Sequence, residues 1–263
     1  MTTRRLFHTL AVAFHTVVVA GILTATVPAA AQQGPAPRPS NLAADVLALA
    51  CAPTMVFETP ATPLRIMGGQ DSFVRRIYRP GDLITINAGT DNGIEVGQEY
   101  YVRRVQPSGR GVMTRENPGV IHTAGWIRIY ALEDRNMALA TITHACDTIE
   151  SGDYLEPFAL PDVPTASLTK GKTQHGNYGR ILLGTDRRSS FGVGDFLIVD
   201  RGSDHGVMPG MRLVVYRDKR QTGNFLYELG EVVAVDVKAE TSTMRVTMSR
   251  DALSAGDYVA MRK

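Results

Sequence analysis

Met244, Val246 and Met248 alternate with Thr243, Arg245 and Thr247, a period of two that sends apolar side chains to one face of a strand. The same writing fills most of the chain. Short β-branched runs bounded by glycine or aspartate recur as DLITIN (82–87), QEYYVRRV (98–105), GWIRIYAL (125–132), MALATIT (137–143) and DYLEPF (153–158). They recur again as DFLIVD (195–200), MRLVVYR (211–217), GEVVAVDV (230–237), TMRVTMS (243–249) and DYVAM (257–261). Helical spacing is confined to NLAADVLALA (41–50), where Leu42, Val46 and Leu49 share a face and Asn41 is placed to cap the first turn. The pattern predicts an all-β chain with one short N-terminal helix.

The strands come in two matching sets. A shift of 113 residues superposes Gly81-Asp82 on Gly194-Asp195, and Gly89, Asp91, Gly93 and Gly97 on Gly202, Asp204, Gly206 and Gly210. Val102 and Arg104 fall on Val215 and Arg217 at the same shift. Arg65 in RIMGGQD matches Arg180 in RILLGTD. Gly125 meets Gly230 at a shift of 105, and SGDYLE (151–156) meets AGDYVA (255–260) at 104. Two copies are too few for a solenoid, so each is expected to close its own core. About five or six short strands per copy predict two tandem small β-barrels, because curling removes exposed sheet edges. The eight glycines and aspartates of the repeated turn read as structural. Gly93 and Gly206 are expected at positive φ, and Asp91 and Asp204 as turn residues bonding the backbone ahead. The loop QPSGRGVMTRENPGVIHTA (106–124) is eight residues longer in the first copy, the difference between the two shifts.

The first residues follow another rule. Arg4 and Arg5, an apolar run and Ala29-Ala30-Ala31 have the order of a secretory signal peptide, with cleavage expected after Ala31. The competing reading is an uncleaved membrane anchor. The expected organisation is a signal peptide (1–31), a Pro-rich N-terminus with the short helix (32–64), β-barrel copy 1 (65–158), a linker (159–179) and β-barrel copy 2 (180–263). Removing 1–31 takes away two arginines and no acid, so the net charge of +2 falls to zero. Such a chain has no overall field to attract nucleic acid or an anionic membrane. An exported location in the periplasm or cell envelope makes a disulfide between Cys51 and Cys146 plausible, with two separate buried thiols as the alternative.

Candidate chemistry is sparse. Neither GTDNG nor GSDHG carries the alternating carboxylates and terminal Glu of a calcium loop. Asp91 and Asp204 occupy equivalent positions, yet their turn role accounts for both. His144 and Cys146 alternate onto one strand face, but a nucleophilic pair needs a reduced thiol. HExxH, CxxC and Walker patterns are absent, and His122, His175 and His205 read as scattered over loops. No catalytic residue, cofactor or metal ligand is assigned. Trp126, the sole tryptophan, falls opposite Glu231 of the second copy, which predicts partial exposure. With Arg110 and Arg115 of the longer loop it forms the candidate partner surface.

The run GDLITINAGTDNGIEVGQEYYVRR, with its second version DFLIVDRGSDHGVMPGMRLVVYR, resembles the C-terminal β-barrel domain of flagellar assembly protein T. Similar runs occur in other exported envelope modules, some attached to peptidoglycan-binding repeats. The resemblance covers about 25 residues of each copy and implies fold, with no catalytic residue to carry over. The chain departs from that family in having a signal peptide, a short helix and two modules. The expected function is a non-catalytic scaffold or adaptor in the periplasm, within a larger envelope or flagellum-associated assembly and with envelope proteins as partners. A peptidoglycan- or polysaccharide-binding module is the alternative, and a hydrolase comes last.

Overall fold

The computed structural model describes residues 44–262 apart from 59, 62, 72–74, 109–117, 168–171, 174–175, 186–187, 189 and 219–225. Residues 1–31, where a signal peptide is expected, and Asn41, Arg110, Arg115 and His175 therefore lie outside the described residues. Helix α1 (Ala44–Ala50) and strand β1 (Thr54–Val56) lead into the first copy. That copy runs β2 (Ile66–Gly69), β3 (Ile77–Tyr78), β4 (Leu83–Ile86), β5 (Glu99–Pro107), β6 (Gly119–Asp134), β7 (Met137–Ala145), β8 (Ile149–Glu150) and β9 (Tyr154–Pro157). The second copy runs β10 (Gly179–Gly184), β11 (Ser190–Phe191), β12 (Phe196–Val199), β13 (Arg212–Asp218), β14 (Leu226–Val237), β15 (Ser242–Ser249), β16 (Leu253–Ser254) and β17 (Tyr258–Met261). The chain is mostly β, and no helix among the described residues is long and apolar enough to cross a membrane.

The second copy is a closed antiparallel barrel in the order β10-β12-β15-β14-β13-β17, shut by pairing of β10 with β17. Closure leaves no free edge. The first copy repeats that order as β2-β4-β7-β6-β5-β9, in a seven-stranded sheet completed by β1 on β6. Among the described residues no continuous ladder joins its two ends. They meet through an isolated bridge between Arg65 and Tyr154 and three backbone hydrogen bonds. Those run from Ile66 N to Asp153 O (3.0 Å), Gly152 N to Ile66 O (2.8 Å) and Leu155 N to Leu64 O (3.0 Å).

Alternation along the strands gives each copy its own apolar interior. Ile84, Ile86, Ile127, Ile129 and Ile142 fill the first, and Leu197, Val199, Val215, Val232 and Met244 the second. Residues Pro35–Lys263 nevertheless form one compact unit. The contact between copies begins with the longer segment of copy 1. Expected as a loop over 106–124, it is strand at both ends, because Val120 and Ile121 continue the β-branched pattern of β6. This extension supplies the edge for β1: Thr54 pairs with Ile121 and Met55 with Val120. Met55 and Val120 then pack on Ile198, which points outward from β12 of copy 2 and is fully buried. Three polar links surround this apolar contact. The Thr243 hydroxyl donates to the Pro53 carbonyl (2.8 Å), the Thr54 hydroxyl to Asp236 (3.3 Å), and Arg245 pairs with Asp45 of α1 (2.6 Å).

The segment between the copies is also seated. Ser167 N donates to Gly210 O (2.7 Å), Arg212 Nε donates to Ser167 O (2.8 Å), and Thr173 bridges to Arg262.

Candidate functional site

The repeated turns are one-turn 3-10 helices, Thr90–Asn92 and Ser203–His205. Each ends on a left-handed glycine, Gly93 at φ 71° and Gly206 at φ 84°, where a Cβ costs of order 1–2 kcal/mol. Gly97 and Gly210 are at positive φ as well. Gly89 and Gly202 have a different reason to be glycine. Their φ values, −144° and −131°, are open to any residue, and a Cβ on them would come within 2.2 Å of the carbonyl oxygens of Asp134 and Lys238. The turn thus clamps the β6–β7 or β14–β15 connection: Asp91 N donates to Arg135 O (2.9 Å), and Asp204 N to Ala239 O (3.0 Å). Asp91 also accepts from Arg135 Nε (3.1 Å). Asn92 and His205 side chains accept from Gly89 N and Gly202 N, both at 3.2 Å. The two aspartates serve separate turns.

Other recurring polar residues make the same bonds twice. Arg104 holds Asp153 with Nε at 2.7 Å and Nη2 at 2.9 Å; Arg217 holds Asp257 at 2.8 and 2.7 Å. Each aspartate also accepts a backbone N–H three residues back, from Glu150 (2.9 Å) and Ser254 (2.7 Å). Both carboxylates are nearly fully buried. Burial pushes the Asp153 carboxyl upward against the pull of Arg104, while its hydrogen bond to Asp153 holds the Arg104 guanidinium more firmly charged. Arg65 and Arg180 each reach a carbonyl of the last turn, Gly152 or Gly256, at 2.9 Å. Sequence reasoning found these residues as matches but missed their pairing. Both partners of each pair recur between the copies, Arg104 as Arg217 and Asp153 of the GDY phrase as Asp257, but they stand far apart in sequence.

Trp126 corrects an expectation. It is 5 % exposed, not a surface residue, because α1 lies over it. Leu47, Ala50, Tyr101 and Phe158 surround the indole, and His144 stacks on it at 4.2 Å between ring centroids. Cys51, just past the end of α1, is disulfide-bonded to Cys146, just past β7. In the chain-entropy account a loop of this length is constrained by about 4–5 kcal/mol. Burial lowers the pKa of His144 from its ordinary 6.5. His122 is a second correction. It is a buried β6 residue with Nε2 2.9 Å from Asp147, not a loop residue.

A groove of about 230 Å³ opens where the copies meet, between α1, Thr54, Tyr101, Arg103, Asp162 and Asp236. Arg103 lies over the Tyr101 ring at 4.3 Å and pairs with Glu156. No protein-family model matches this chain, and no curated protein matches it.

Proposed function

We propose that the chain is an exported, non-catalytic envelope protein, a scaffold or adaptor built from two tandem β-barrel modules. The observation that carries this reading is the use made of the recurring polar residues. Arg104 with Asp153 and Arg65 with the Gly152 carbonyl make the same structural bonds as Arg217 with Asp257 and Arg180 with the Gly256 carbonyl. Such a chain holds a shape, and its function then lies in the surfaces it presents. The resemblance of the repeated turn to the C-terminal domain of flagellar assembly protein T supports an envelope assembly as the setting.

The contact surface in this reading is the outer face of copy 1. In copy 2 the corresponding face receives β1, through Ile198, Leu182 and Leu183. In copy 1 the matching strands β2, β4 and β6 carry Met67, Thr85 and Tyr130, and Met67 and Tyr130 are 62 % and 61 % exposed, while Leu139 of β7 is buried. Two exposed apolar side chains on one rigid sheet suit a protein partner. Mild crosslinking followed by pull-down from the envelope fraction, beside sedimentation with peptidoglycan, tests the proposal. Discrete protein adducts lost on Tyr130→Asp and Met67→Asp support an adaptor. Co-sedimentation with the cell wall and no protein adduct would replace it with a polysaccharide-binding module.

A further inference from the structure

We propose that the chain, once its disulfide is reduced, binds one Cu(I) ion through Cys51 Sγ, Cys146 Sγ and a ring nitrogen of His144. These three ligand atoms lie within 4.8 Å of one another, and no fourth His, Cys, Asp or Glu joins them among the described residues. In the oxidised chain the two sulfurs are committed to each other. The site therefore exists only after exchange with a dithiol. The attacking thiolate breaks the S–S bond, the donor leaves as its own disulfide, and two electrons and two protons end on Cys51 and Cys146. Binding then releases both protons, as two thiols and Cu⁺ become a bis-thiolate complex completed by the neutral imidazole.

Three features favour copper in its lower oxidation state. The donors are two soft thiolates and one imidazole, a set that selects thiophilic ions. A structural zinc ion takes four ligands, whereas three satisfy Cu(I). The reducing conditions that open the disulfide also keep copper as Cu(I). Packing as well as the S–S bond holds the three residues together. Leu47 and Ala50 of α1 pack on Tyr101 and Trp126, holding Cys51 beside β7. Trp126 stacks on His144 and orients its ring. All three ligand residues are half-buried, which leaves an entry path from solvent.

The experiment uses the full chain, reduced with dithiothreitol, desalted without oxygen and titrated with Cu(I) against a chromophoric Cu(I) chelator. One equivalent is expected, with a thiolate-to-copper absorption band and quenching of Trp126, the only tryptophan. The oxidised chain and the Cys51→Ser/Cys146→Ser variant should take up none. His144→Ala should weaken binding by at least about tenfold, the low end of what losing even an outer-shell partner costs. Circular dichroism of the reduced chain accompanies the titration. An unfolded reduced chain, no uptake by a folded one, or uptake that ignores His144→Ala each overturns the site. Zn(II) displacing Cu(I) from the chain at equal concentration overturns the choice of ion.

Discussion

Leu197 and Ile198 are neighbours on β12, both fully buried, and they face opposite ways. Leu197 points into the barrel of the second copy, and Ile198 points out onto Met55 and Val120 of the first copy. Truncating each to alanine removes three carbons, about 2.4 kcal/mol of transfer free energy at 0.8 per carbon. The void left behind brings either loss into the range of about 2–5 kcal/mol. The sizes are similar and the locations differ. Leu197→Ala should lower the stability of copy 2 itself, read by native-state hydrogen exchange at amides such as Ala234. Ile198→Ala should leave both interiors packed and weaken only their coupling. Guanidinium unfolding followed by Trp126 emission reports copy 1 alone. In Ile198→Ala the Trp126 transition and the copy 2 exchange transition should separate, having coincided in the parent. Equal loss of exchange protection at Ala234 in both variants would falsify the assignment of Ile198 to an interface.

Other substitutions test single bonds. Tyr154 has a buried hydroxyl with no hydrogen-bond partner among the described residues, and burial pushes its pKa up to about 12. Tyr154→Phe should therefore be neutral or stabilise by up to about 1 kcal/mol, and alkaline difference absorbance should lose its latest-titrating tyrosine. Gly202→Ala should cost more than Gly206→Ala, because its Cβ strikes backbone at Lys238 and Ala239 while Gly206 has open space and only the φ penalty of about 1–2 kcal/mol; paired thermal melts rank them. Asp257→Ala should destabilise by about 3 kcal/mol, since it leaves Arg217 and the Ser254 N–H without their shared acceptor; a loss below that of a surface substitution would refute a structural role. For His144 the folded pKa lies below the unfolded one, so its contribution to stability is complete above the ordinary 6.5 and is lost as pH falls below it. Denaturant midpoints across that range should decline in the parent and flatten in His144→Gln.

What sequence alone determined is the local writing. Period-two runs, turn glycines and the doubled landmarks are properties of neighbouring residues, and the backbone enforces them within a few positions. Hence Gly93 and Gly206 were legible as turn glycines, and DLITIN and DFLIVD as strands. Tertiary structure decided everything that joins distant parts of the chain. The separation of Arg104 from Asp153 in sequence hides a bond that forms only when β5 pairs with β9. Trp126 looked exposed because its counterpart is Glu231, and nothing local shows that α1 would fold back over it. Gly89 and Gly202 carry no unusual φ, so their need for a missing Cβ appears only once another turn lies against them. Ile198 reads as one more core residue of a strand. Its neighbour Leu197 fills the barrel, and only the arrival of β1 on the opposite face gives Ile198 an apolar place to lie.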